Sequence, residues 1–329
     1  MQHGHTVAFK RLAIKSSERS VLIQVSISRA FHRILTFQLV LRRSYNHHAS
    51  FVKIHRKPYE ALQSRIASKP LAGKSVIVTG GSRGVGLFIV EGFVEAGATK
   101  IGLTGRDGAR LQATTSKLTK AHPGVTFAPY AVDVVDEKGI KAMFSDFGVP
   151  DILVNNAGVF PDNGLFLDQD LEKWWNGIGT NVLGTANVTQ KYLQAKGNAP
   201  GIVLNCSSMA SVMRFPLKGW SGYTTSKLAQ ARIFEFLRFE HPETRFNTIH
   251  PGEIETNGFE VSGAPKHDDM TDGKLTGLFF AWAATEEAAW LKDRFLWAEW
   301  DINELAGRKE EILEKDLLLT TIDGFNKGF

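Results

Sequence analysis

Short β-branched runs alternate with helical patterns from Leu71 onward, a glycine-rich turn joins the first run to the first helix, and no repeat or linker interrupts the order. Together these observations predict an α/β fold, a single doubly wound Rossmann-type domain whose parallel sheet has about seven strands. Its expected limits are residues 58–329, with a core over about 70–305 and a basic N-terminal arm over residues 1–57 before it.

The strands are expected at Ser75–Thr79, Lys100–Thr104, Thr126–Asp133, Ile152–Asn155, Gly201–Cys206, Arg245–His250 and Phe295–Ala298. Helices are expected between them, over Gly86–Ala96, Ala109–Ala121, Glu137–Phe144, Leu171–Gln194, Tyr223–Phe239 and Glu286–Lys292. Strand–helix–strand units cross over right-handed, so helices cover both faces of a parallel sheet. Ligands of such sheets bind outside the carboxyl ends of the strands. The motifs that carry chemistry fall at those ends or in the helices that follow.

Composition is that of an ordinary globular chain, 43% hydrophobic and 22% charged over 329 residues. One cysteine, Cys206, rules out an internal disulfide and leaves a reduced, cytoplasmic setting as the default. The net charge of +5 is unevenly spread: residues 1–57 hold eleven Lys/Arg against Glu18 alone, leaving 28 of the 39 Lys/Arg and 33 of the 34 acids for the remainder. The remainder is therefore acidic, and no nucleic-acid partner is expected of it. The arm is rich in Ser, Arg and His and poor in acids, with Arg11, Lys15 and Arg19 spaced by four, as in a mitochondrial presequence; a basic tail or a mispredicted gene start gives the same composition. Arg29, His32 and Arg33 interrupt its apolar stretch, so no integral membrane segment is expected.

The turn Thr79-Gly80-Gly81-Ser82-Arg83-Gly84-Val85-Gly86 lies between the first strand and a helix, where glycines let the backbone approach a pyrophosphate at the helix N-terminus. Gly80, Ser82, Arg83, Gly84, Val85 and Gly86 are its candidate cofactor contacts. At the end of the second strand, an acid would pair with the ribose 2′-hydroxyl of NAD and repel the 2′-phosphate of NADP. Thr104-Gly105-Arg106 stands there instead, with no carboxylate before Asp107. Arg83 and Arg106 can fork a 2′-phosphate, so the expected cofactor is NADP(H). A two-residue shift of the loop would instead bring Asp107 to the ribose. Asp133 is placed to accept the adenine amino group or to cap the next helix together with Asp136. In Asn155-Asn156-Ala157-Gly158 the amides can tie neighbouring strands, and the small residues let the backbone pass close to adenosine, with Asn156 a further cofactor contact.

Tyr223 and Lys227 are four residues apart, on one face of a helix. Tyr192 and Lys196 share that spacing without catalytic company upstream, and read as the polar end of the helix leading to the fifth strand. Tyr223 is distinguished by Ser207-Ser208 at the end of the strand before it, fifteen residues upstream if Ser208 is taken. A serine hydroxyl there can hold a substrate oxygen while the phenol moves its proton. A free phenol near pKa 10 is a poor base at neutral pH, and Lys227 would stabilise its anion while also holding the nicotinamide ribose.

These motifs resemble those of the short-chain dehydrogenases/reductases over roughly residues 70–305. The resemblance matches Thr79–Gly86 to the family's glycine motif and Asn155–Gly158 to its Asn-Asn-Ala-Gly. It assigns Asn181, Ser208, Tyr223 and Lys227 as the catalytic set, Asn181 holding a water in a proton relay from the lysine. Pro251-Gly252-x-Ile254-x-Thr256 matches the segment beside the nicotinamide, which adds Ile254 and Thr256 to the cofactor contacts. The serine-to-tyrosine separation is about two residues longer than usual in the family, and the ending Leu296–Leu305 resembles a branch common among fungal members, some serving secondary metabolism. The expected activity is NADP(H)-dependent interconversion of a ketone or aldehyde and an alcohol on a small apolar molecule, by a homodimer or homotetramer. An NAD-dependent alcohol dehydrogenase, a non-catalytic dinucleotide sensor, and an adaptor acting through the basic arm are the competing readings. Met209, Met213, Phe215, Trp220 and Phe160 are candidate pocket residues, and Asn257–Thr276 is the expected lid.

Overall fold

The computed structural model describes residues 51–161, 164–212, 218–264 and 266–321, within a compact unit spanning Ala49–Phe329. Met213, Phe215 and most of the basic arm lie outside the described residues.

Seven strands form one wholly parallel sheet: β1 (Ser75–Val78), β2 (Lys100–Gly105), β3 (Thr126–Ala131), β4 (Ile152–Asn155), β5 (Gly201–Cys206), β6 (Thr244–His250) and β7 (Phe295–Trp297). Their order, β3-β2-β1-β4-β5-β6-β7, reverses between β1 and β4 and opens the binding crevice there. Register across that junction pairs Val76 with Ile152 and Val78 with Val154. β1 and β4 bury the unbroken runs Val76–Val78 and Ile152–Val154, as strands covered on both faces require, and β6 is buried along its length although it carries Thr, Arg, Asn and His. Pro129 sits in β3, which has an unpaired edge where a missing N–H costs nothing.

Helices α1 (Glu60–Ala67), α2 (Gly84–Glu95), α3 (Gly108–Ala121), α4 (Glu137–Phe147), α5 (Leu171–Lys196) and α6 (Ser221–Glu240) are followed by α7 (Asn257–Val261), α8 (Gly273–Ala283), α9 (Ile302–Gly307) and α10 (Lys309–Glu314). Beneath α4, α5 and α6 one core joins Ile77, Leu153, Val203 and Phe246 of the sheet to Phe144, Val188, Tyr192 and Phe234 of the helices. Tyr192 is wholly buried there and Lys196 binds Gly197 O, Ala199 O and Glu243, so this pair, at the end of the helix leading to β5, is built into the fold.

The described structure departs from the sequence pattern in three places. The Glu286–Lys292 stretch holds only a 3₁₀ turn at Ala289–Leu291, while the helix of that region is α8, which begins in the last residues of the expected lid and runs beyond it. Gly273 and Gly277 suggest a loop by composition, yet a Cβ on Gly92 of α2 would lie 2.1 Å from Gly277 O. These glycines allow two backbones to touch, and α8 is buried on all sides. Finally, residues 51–57 belong to the fold although their charge groups them with the arm. Ile54 bridges Trp300, His55 Nε2 lies 2.8 Å from Asp301, and Arg56 pairs with Glu299, a fully buried carboxylate that Thr271 also contacts.

Glu299 is held above the ordinary carboxylate range by burial, against the pull of Arg56 and Thr271. Removing the guanidinium leaves an uncompensated buried charge. Arg56→Met should therefore cost about 3–5 kcal/mol of unfolding free energy, and adding Glu299→Gln should recover part of it. Chemical denaturation of the two variants measures this; additive losses would contradict the pairing.

Candidate active site

Four loops meet where the sheet reverses. Thr79 Oγ1 accepts from the backbone N–H groups of Asn156 and Ala157 at 2.9 and 3.0 Å, while Asn156 Nδ2 donates to Thr79 O and Gly80 O. The β1 and β4 loops are thus clamped from both sides. Asn155 does not tie strands together; its amide donates to Thr189 Oγ1 of α5.

The N-terminus of α2 distinguishes itself from its neighbours. Asp107 caps α3 and Asp136 caps α4, each accepting first-turn N–H groups. Helix α2 has Arg83 at its N-cap, no side-chain cap and no acid in its first turn. Its leading N–H groups, in Gly84, Val85 and Gly86, are left to an external acceptor, and the helix dipole favours an anion there. Gly86 holds the helix against the strand end, since a Cβ would lie 2.3 Å from Gly80 O. Thr256 caps α7 and stands against this loop, its Cγ2 3.6 Å from the position of a Cβ on Gly84, and Ile254 is buried beside it in sequence.

Arg83 and Arg106 are both exposed on adjoining loops, because a Cβ on Gly105 would lie 3.3 Å from Ser82 Oγ. Arg106 Nη1 is 3.8 Å from Asp133 Oδ2. Asp133 also accepts from Val135 N, and capping of α4 falls to Asp136 alone. Asp107 is engaged as the α3 cap and pairs with Arg110 at 3.1 Å.

Across the reversal, Tyr223 and Lys227 project from α6 toward the end of β5. The Ser208 side chain is near enough to the Tyr223 phenol to act on its ionisation, whereas Ser207 Oγ is turned to Ser211 Oγ at 2.7 Å. Lys227 Nζ donates to Cys206 O at 2.9 Å and lies 5.9 Å from the Tyr223 ring centre. Burial pushes the phenol up to about 12, with the Ser208 side chain drawing it back, and burial pushes the Lys227 ammonium down. Asn181 is 0% exposed; its Oδ1 accepts from Val159 N at 2.8 Å and its Nδ2 donates to Val159 O and Ser226 Oγ. It thereby ties the loop after β4 to α5 and α6.

Two supporting residues carry no motif of their own. Ser226 Oγ links Asn181 to Tyr223 O, and Gln230 Nε2 donates to Asn181 O and Thr185 Oγ1 at 2.8 and 2.6 Å. Their signal in the sequence is helical phase: Tyr223, Ser226, Lys227 and Gln230 fall on one face. Gln230 thus engages the main chain of Asn181, the residue to which the resemblance gives a relay water.

The family model for short chain dehydrogenase matches residues 74–266, more than half of the chain. The chain belongs to the short-chain dehydrogenase family. A relative from Aspergillus aculeatus, the short chain dehydrogenase/reductase AacuD, is 31% identical over 252 residues, covering 76% of this chain and 88% of its own. Among solved structures, L-sorbose reductase from Gluconobacter frateurii, complexed with NADPH and L-sorbose, superposes with a TM-score of 0.61 at 25% identity over 69% of this chain and 95% of that one. A 7α-hydroxysteroid dehydrogenase complexed with NADH and 7-oxo glycochenodeoxycholic acid gives 0.62 at 21% identity, over 74% of this chain and 97% of that one, and is alike in fold. Short-chain dehydrogenases are oxidoreductases that use a nicotinamide dinucleotide, and the uncapped α2 N-terminus fits its pyrophosphate.

Gly86→Ala should lower stability by about 1–3 kcal/mol through overpacking and abolish the rise in Tm given by NADP(H) or NAD(H). Gly179→Ala, where a Cβ meets nothing within 4 Å, should be neutral or stabilising by up to about 1 kcal/mol and keep that rise. Thermal melts with and without dinucleotide check both; a preserved ligand response in Gly86→Ala would count against this loop as the cradle.

Proposed function

We propose that the chain is an NADP(H)-dependent oxidoreductase interconverting a ketone or aldehyde and an alcohol on a small apolar molecule, with Tyr223 as its acid/base. The observation that carries this reading is the convergence at the end of β5 of Ser208, whose side chain draws the Tyr223 phenol down, with Tyr223 and Lys227, one helical turn apart. In reduction the bound dinucleotide supplies a hydride to the carbonyl carbon. Ser208 and Tyr223 hold the carbonyl oxygen, and the phenol gives it a proton as the C=O π bond opens. Lys227 steadies the phenolate that remains, by proximity of opposite charge, and has donors left to hold a ribose hydroxyl. Asn181, Ser226 and Gln230 fix the backbone on which these groups stand. Alcohol oxidation runs the same proton movements in reverse, so its rate should rise with pH as the phenol ionises.

The cofactor preference rests on charge at two loops. Arg83 and Arg106 lie on adjoining loops, Gly105 brings no charge, and Asp107 is occupied as a cap, which favours the 2′-phosphate. If each arginine contributes about 1.5–3 kcal/mol, the preference for NADPH spans one to four orders of magnitude. A place in secondary metabolism belongs to the same proposal, resting on the resemblance of Leu296–Leu305 to a fungal branch.

Tyr223→Phe should reduce turnover by at least about a hundredfold while leaving dinucleotide affinity within a few-fold, and Tyr192→Phe should leave turnover nearly unchanged. Comparable loss in both would remove Tyr223 from its assigned role. Separately, kcat/KM with each cofactor should favour NADPH, Arg106→Ala should weaken NADPH far more than NADH, and Gly105→Asp should move selectivity toward NADH. Equal values in the native chain would sink the NADP(H) assignment.

A further inference from the structure

The catalytic phenol is one wall of an aromatic corner. Phe160, two residues beyond Asn-Asn-Ala-Gly, stacks on the Tyr223 ring with centroids 4.3 Å apart and planes 24° from parallel. Trp220 stands at right angles to both, 78° from Phe160 at 5.0 Å and 89° from Tyr223 at 5.8 Å. Trp174 of α5 adjoins them, donating from Nε1 to Ser221 Oγ at 3.2 Å. It in turn meets Phe166 edge-on and Trp175 at a tilt. An aromatic lining thus runs from the surface to the reacting group.

These rings are not core. Phe160, Trp174, Trp220 and Tyr223 are each partly exposed, and Phe166 and Trp175 are 57% and 63% exposed. Core aromatics such as Phe93, Phe246 and Phe279 are at most 1% exposed. Ring surface left open beside a catalytic phenol is surface that a substrate covers. The shape of the corner defines the occupant. Phe160 and Tyr223 are already stacked on each other, so no ring enters between them; beside that pair, Trp220 and the ring edges left partly exposed offer a flat ring the edge-on and offset-stacked arrangements that aromatic quadrupoles favour. A puckered saturated ring of the same size reaches fewer ring atoms on either wall.

The geometry points to a flat aromatic ketone, or the corresponding alcohol, as the substrate class, with its ring in the corner made by Phe160 and Trp220 and its carbonyl at Ser208 and Tyr223. This rests on the carbonyl–alcohol reading above. The reaction balances as it does there: the dinucleotide is oxidised as its hydride forms the new C–H bond, and the Tyr223 proton forms the O–H bond.

The test compares α-tetralone, a fused aryl ketone, with trans-decalone, its saturated counterpart, using the full chain, NADPH and NADH. The native enzyme should show a KM for α-tetralone about five- to tenfold lower, the fold-change expected of one or two aromatic contacts. Phe160→Leu and Trp220→Leu should each reduce the ratio of kcat/KM for the two ketones by about three- to tenfold, and Phe160→Tyr, which keeps the ring, should preserve it. Far-ultraviolet circular dichroism and melting confirm that each variant is folded. Equal KM values, or a ratio unmoved by both leucine variants, overturn the aromatic class while leaving carbonyl reduction intact. Failure to reduce either ketone or any of a panel of aldehydes and ketones with either cofactor overturns the underlying reading as well.

Discussion

Everything at the open end of the sheet hangs on the reciprocal clamp between Thr79 and Asn156. A strand order that reverses between β1 and β4 leaves two adjacent strand ends whose loops diverge, and backbone groups there cannot pair with each other in a ladder. Thr79 Oγ1 takes two of the donors, and the Asn156 amide serves two of the acceptors. With those ends fixed, the glycine loop leads into an uncapped helix on one side, and the loop beyond Ala157 reaches Asn181 on the other. Without the clamp, the glycine loop and the helix that carries Tyr223 and Lys227 would have no common frame.

A second constraint keeps α2 in place. Its N-terminus can serve an anion only if the helix axis is held against the sheet, and the packing that holds it is the contact between Gly92 and Gly277. Backbones this close leave no room for a methyl group, so α2 and α8 share one geometry rather than a range of them. Helix α8 is anchored in turn through Thr271 and Asp272 to Glu299, Glu253 and Arg56. The segment at residues 51–57 therefore supports the α2 and α8 side of the fold through a chain of polar contacts.

What could be read from the sequence was whatever has a short-range signature. Strand ends at Cys206 and His250 follow from β-branched runs, and the glycine loop follows from spacing. Tyr223 and Lys227 were legible because helical phase is local, and the same phase contains Ser226 and Gln230, whose partners on α5 are visible only in three dimensions. Ser207 and Ser208 alternate in direction past the end of β5, and the structure turns only Ser208 toward the phenol. Arg56 was hidden by composition: its basic neighbours mark an arm, while the carboxylate that employs it lies 243 residues away. Helix α8 was hidden by its glycines, which signal flexibility when read singly and close packing when read against Gly92.

The two Tyr-x-x-x-Lys pairs separate what a motif is from what a site is. Both sit on long helices beside β5, and burial raises both phenols to about 12. The difference lies in how much bonding capacity is left over. Lys196 has its three N–H groups directed to Gly197 O, Ala199 O and Glu243, while Tyr192 is wholly buried against Phe144, so its hydroxyl, though without a hydrogen-bond partner among the described residues, has no surface to offer a ligand. Lys227 donates to Cys206 O, and two of its three N–H groups have no acceptor among the contacts of the described residues. Tyr223 meets a serine hydroxyl that is itself at the open end of a strand, and its ring forms part of a lining still partly open to solvent. A buried cation that has satisfied all its donors is structure. One that holds donors in reserve, next to a phenol at the mouth of the sheet, is what the proposed ligand contact and proton transfer require.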